Sequence, residues 1–103
     1  MPRIRGDKIR SLRRALSYMG YDLDALMKDR NRCRINADLR AVVWSIYRRE
    51  TGFGAVVIGS IFNRSRNTVN AALIRADNLM LYDKEFIGLY DMVYSYYMQY
   101  ESE

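Results

Sequence analysis

Apolar residues recur at every third or fourth position along almost the whole chain, the spacing of a helix face rather than the alternation of a strand. Ile9, Leu12, Leu16 and Met19 make one such stripe, with Asp7 placed to cap its helix and Gly20 to stop it. Asp22 opens a short second helix through Leu26 and Met27. The pattern then lapses over "KDRNRCRIN", which is charged, poor in apolar residues and expected to be a loop. Asn36 is the expected cap of a third helix that turns Leu39, Val42, Val43, Ile46 and Tyr47 inward and ends at Thr51-Gly52. A short helix from about Gly54 to Phe62 follows, with Val57, Ile58 and Ile61 apolar. Ser65 is a good cap for a helix bearing Val69, Ala72, Leu73 and Ala76 on one side and reaching about Met80. Asp83 caps a last helix with Phe86, Leu89, Tyr90, Val93 and Tyr97 as its stripe. No strand or hairpin signal interrupts this order. The expectation is a single all-α domain over residues 1–103, of about six helices.

One junction carries more polar chemistry than a helix start needs. In "FNRSRNTVNAAL", Phe62 to Leu73, a single cap suffices, yet Asn63, Arg64, Ser65, Arg66, Asn67 and Thr68 supply two guanidiniums, two amides and two hydroxyls. Asparagine tolerates the left-handed backbone, so Asn63-Arg64 is expected to be a tight turn. Gly59, four residues earlier, is small where two helices must cross closely, and Val69, six later, packs the second helix back on the first. Those intervals match a helix-turn-helix over about residues 54–80. In that geometry the N-terminal residues of the second helix meet base edges in the major groove. Arg66, Asn67 and Asn70 are then base readers, arginine suiting guanine and asparagine adenine, and Thr68 meets a phosphate or a thymine methyl. Arg64 stands where such turns usually carry an apolar side chain; its stem is expected to cover the core while its head, beside Ser65, meets phosphate. The plainer alternative is a capped surface helix with solvated polar groups.

Charge is divided along the chain. Residues 1–49 carry 13 Lys/Arg against 5 Asp/Glu, net +8, and residues 50–103 carry 4 against 7, net −3. Eleven of the thirteen cations in the first part are arginines, which favours bidentate contacts to phosphate or guanine. A polyanionic partner such as nucleic acid fits this, as does a solvated basic surface. Duplex DNA is then expected to bind with steep salt dependence; about four phosphate contacts among arginines 30, 32, 34, 40, 48 and 64 give a log–log slope near −3.6. RNA is a lesser alternative, because the aromatics are not interleaved with the basic loop as stacking platforms require.

Other classes lack their residues. The chain has no histidine and one cysteine, Cys33, so neither a nucleophile–base set nor a metal site is expected, and no cofactor is implied. Cys33, between two arginines, is reactive at most. Nothing approaches the roughly 18 consecutive apolar residues of a membrane span, and the basic start has no apolar segment behind it like that of a secretory signal. A cytoplasmic protein, on the nucleoid if it binds DNA, is the expectation.

Ile58-Gly59, Phe62 and Arg64-Ser65-Arg66-Asn67-Thr68-Val69 resemble the signature of the C-terminal DNA-binding domain of the bacterial chromosomal replication initiator DnaA. That family has Ile-Gly, then Phe, then Arg-Asp-His-(Ser/Thr)-Thr-Val; arginine, threonine and valine are kept here, while Ser65 and Arg66 replace the aspartate and histidine. Arg32-Cys33-Arg34 and Arg40 fall at the spacing of the family's basic loop and the arginine that begins its long helix. The resemblance implies a Trp-repressor-like helical fold, Arg32 in the minor groove, and Arg34 and Arg40 on phosphate. It also implies a role in replication initiation or in regulating a mobile element or phage. No G-x-x-x-x-G-K-[ST] stretch occurs, so the initiator's ATPase is not expected.

The last helix, about 83–100, gathers Tyr90, Tyr94, Tyr96, Tyr97 and Tyr100. Some should finish the core with hydroxyls at its rim. The alternative is a surface for a homodimer or another protein, which makes a protein-interaction module the competing function.

Overall fold

A helix from Arg34 to Thr51, α3, is the axis of the molecule: ten consecutive residues, Asp38 to Tyr47, are buried all the way round it. A helix buried on every side must be wrapped by others. Around it lie α1 (Arg5–Tyr18), α2 (Leu23–Lys28), α4 (Ala55–Phe62), α5 (Arg66–Tyr82) and α6 (Lys84–Glu101), each in contact with α3. The computed structural model describes residues 5–28 and 33–102, with the backbone alone for 5–7. Among these the fold is all-α, with six helices and no strand. No helix among them is long and apolar enough to cross a membrane.

The core is continuous. Leu12, Leu16, Leu39, Val42, Val43, Ile46, Tyr47, Ile58, Val69, Phe86, Val93 and Tyr97 are sealed from solvent around the single tryptophan, Trp44. The stripes read from the sequence therefore face this core, with one exception. Val57 is 38% exposed, because α4 turns Ile58 and Gly59 inward instead.

Stop and start signals act through specific atoms. Gly20, at φ +94°, ends α1, and the Tyr21 N–H donates back to the Leu16 carbonyl at 2.8 Å. Asp22 Oδ1 accepts from the Ala25 N–H, Ser65 Oγ from the Thr68 N–H and Asp83 Oδ1 from the Phe86 N–H. The Asp83 N–H also closes α5 on the Leu79 carbonyl, so α5 runs to Tyr82 and one residue both ends it and begins α6. Two expected caps are corrected. Asp7 lies inside α1, which begins at Arg5, and Asn36 lies inside the first turn of α3. Extended Cys33 occupies the N-cap position of α3 without a side-chain cap bond. In α1 and α3 the buried stripe starts after a first turn that is mostly polar, so it marks the helix late.

Candidate nucleic-acid interface

α4 and α5 are joined by a turn whose shape follows from two residues. Asn63 adopts the left-handed conformation at φ 58°, ψ 46°, the one non-glycine residue with positive φ among those described. Gly59 lets the chain fold back: a Cβ on it would stand 2.5 Å from the Arg64 carbonyl oxygen. The Arg64 N–H donates to the Gly59 carbonyl at 2.8 Å, closing the turn. Behind it, Val69, Leu73 and Ala76 fix the inner side of α5 in the core.

The outer side of α5's first two turns presents Arg66, Asn67 and Asn70, all exposed. None of the three has a side-chain hydrogen bond to another described residue. Their donors and acceptors face solvent together, at the end of a helix where the first N–H groups also point outward. Thr68 is half-buried on the neighbouring side, its hydroxyl 2.9 Å from Ser65 Oγ. The Ser65 hydroxyl donates to that of Thr68 beside the cap.

The arginines expected on phosphate are placed differently. Arg40 is 8% exposed, and its guanidinium donates to the Leu26 carbonyl at 3.2 Å. Arg64 donates to the next carbonyl, that of Met27, at 2.8 Å and lies 5.8 Å from the centre of the Trp44 ring. Both guanidiniums thus hold the last turn of the six-residue α2, where the carbonyl ends of the peptide dipoles point towards them. The head of Arg64, expected on phosphate, turns inward onto α2. Arg34 stands among three carboxylates, 3.7 Å from Asp38, 3.3 Å from Asp83 and 3.8 Å from Glu85. Arg48 forms a two-pronged pair with Asp77, at 2.6 and 3.4 Å. Arg30 and Arg32 lie outside the described residues. Arg75, not among the residues expected at the site, binds Asp38 at 2.8 Å. Its place at i+7 from Thr68 was the signal, since those positions share a helix side.

The tyrosines of α6 are turned to α1 and α3. Tyr90 and Tyr97 are buried, and Tyr94 stacks between them at 6.1 Å from each ring. Arg49 lies over Tyr94 at 4.7 Å, Arg14 over Tyr100 at 4.3 Å, and Tyr18 against Tyr96 at 4.6 Å. The Tyr94 and Tyr97 hydroxyls share the Glu50 carboxylate, each at 3.4 Å. Burial, with Glu101 and Glu50 nearby, holds the Tyr97 phenol well above its ordinary value. These contacts leave Tyr94, Tyr96 and Tyr100 half-buried.

Among the described residues no group of three His, Cys, Asp or Glu is placed to hold a metal ion. No family model, curated protein or solved structure matches the chain.

Proposed function

We propose that this protein binds double-stranded DNA, with α4, the Asn63 turn and α5 acting as a helix-turn-helix and the first two turns of α5 entering the major groove. One observation carries this. Arg66, Asn67 and Asn70 are exposed together at the start of a helix whose other side is locked in the core. Their side chains have the donor and acceptor patterns that read guanine and adenine edges. The open N–H groups of the first turn suit a flanking phosphate. Arg30 and Arg32 would add the backbone or minor-groove contact that the DnaA resemblance implies, and the same resemblance suggests replication initiation or control of a mobile element, on the nucleoid.

Arg34, Arg40, Arg48 and Arg64 already hold the protein's own carboxylates and carbonyls. They take a supporting role in this proposal, and Arg66 takes the leading one. The test is selection of bound duplexes from a random pool, followed by titration of the selected and a scrambled duplex. Enrichment of a defined core sequence supports the function; equal affinity for both duplexes would reduce it to a basic surface.

A further inference from the structure

Along the outer side of α5, Asn67, Asn70, Ala71 and Ile74 stand at i, i+3, i+4 and i+7, which is one face of a helix. All four are exposed, while Val69, Leu73 and Ala76 hold the opposite side in the core. The two nearer the turn are amides and the two beyond them are apolar. Ile74 is 53% exposed. A singly exposed isoleucine needs no explanation. The register of this one does, because it continues the face that carries the candidate base readers. The same spacing is the one by which a recognition helix lying in the major groove presents its side chains to successive bases. One turn further on, Asp77 ends the face: it is an exposed carboxylate bonded to Arg48 at 2.6 Å. A carboxylate there repels the phosphates of a duplex, so the contact stops at Ile74.

We propose that Ala71 and Ile74 read the C5-methyl groups of thymine, so that this protein selects A·T pairs in DNA and rejects their uracil counterparts. The inference rests on the DNA-binding proposal above and gives its target a base composition. In the major groove an A·T pair offers both the adenine N6 and N7 groups, which an asparagine amide pairs with, and the thymine methyl. Ala71 stands at i+4 from Asn67, and Ile74 at i+4 from Asn70. One helical turn advances ~5.4 Å against ~3.4 Å between successive bases, so each apolar side chain reaches a pair beside the one its amide holds. Seating a methyl against Ile74 takes apolar surface of both out of water, and G·C pairs present no such methyl. RNA lacks the methyl, and its deep, narrow major groove does not admit the helix.

The test takes the duplex selected from a random pool and replaces thymidine by deoxyuridine, first throughout and then one position at a time. This removes the methyl and leaves the base pairing unchanged. The proposal expects thymine in the selected core and a loss of roughly fourfold for each methyl in contact, the worth of burying one such group. Ile74→Ala should weaken the thymine duplex by a similar factor and make binding indifferent to uracil at the position Ile74 meets. That coupling between side chain and methyl is one a general loss of stability does not produce. Leu81→Ala, at i+7 from Ile74 but past Asp77, should bind both duplexes as the wild type does. A selected core without thymine, full affinity for the uracil duplex, or the same uracil penalty at every position in the wild type and Ile74→Ala overturns the proposal. Equal losses in Ile74→Ala and Leu81→Ala also overturn it, assigning the apolar stripe to contact between copies of the chain. Failure of the DNA-binding proposal is a different result, equal affinity for the selected and scrambled duplexes when both carry thymine.

Discussion

The guanidinium of Arg64, in the turn before α5, donates to the carbonyl of Met27, 37 residues earlier, at 2.8 Å. This bond ties the turn to the end of α2, so the residue that starts the outward-facing helix is also a brace of the fold. Arg64→Ala should therefore lower stability by about 2 kcal/mol, the worth of a charge-assisted hydrogen bond. Urea denaturation checks this. A variant as stable as the wild type would show that the guanidinium is free to serve elsewhere.

Two glycines in helices should respond oppositely to alanine. At Gly88 in α6 nothing lies within 4 Å of an added Cβ, so Gly88→Ala should stabilise by about 0.5–1 kcal/mol. At Gly59 the same Cβ meets the Arg64 carbonyl oxygen at 2.5 Å, and the obstacle is backbone. Gly59→Ala should cost about 1–3 kcal/mol net, despite alanine's better helix propensity. Thermal melts of both variants test the crossing, and equal gains would mean that α4 and α5 can separate without penalty.

The ionic contacts also change the expected salt response. If Arg30, Arg32 and Arg66 supply the phosphate neutralisation, the log–log slope of DNA affinity against salt should be about −2.7, shallower than the four-contact value. A slope steeper than −3.6 would mean that binding frees arginines from Asp77, Asp83 or the carbonyls of α2.

Helices were legible because burial on one side imposes a period, and Leu12, Ile46, Val69 and Val93 all obey it. The turn was legible too, since Asn63 and Gly59 each answer a local backbone demand. The roles of the arginines were not. Whether Arg34 meets phosphate or Asp83 depends on a residue 49 positions away, and Arg40 and Arg64 converge on α2 only once the chain has folded. Charge counts record cations and say nothing of their partners. The cap at Cys33 was hidden for a simpler reason: it makes no side-chain cap bond, so no preferred capping residue marked it.

Tyr97 gives the fold an alkaline limit. Its phenol is raised above its ordinary value of 10.0, chiefly by burial, so below pH 10 folded and unfolded chains both keep the proton and stability is unaffected by this group. Above pH 10 the unfolded chain ionises while the folded one does not, and stability falls as pH rises. Chemical denaturation across that range, compared with Tyr97→Phe, should show a steeper alkaline loss in the wild type. Parallel curves would place the titration elsewhere.

The central claim rests on Arg66, exposed beside Asn67 and Asn70 and without a partner among the described residues. The direct measurement is the affinity of Arg66→Ala and of the wild type for the selected duplex, for single-base variants of it and for a scrambled duplex. The account predicts a loss of about 1–3 kcal/mol on the selected duplex, relaxed preference at one base pair, and little change on the scrambled sequence. Equal losses on every duplex would contradict it, leaving Arg66 as one more positive charge on the surface.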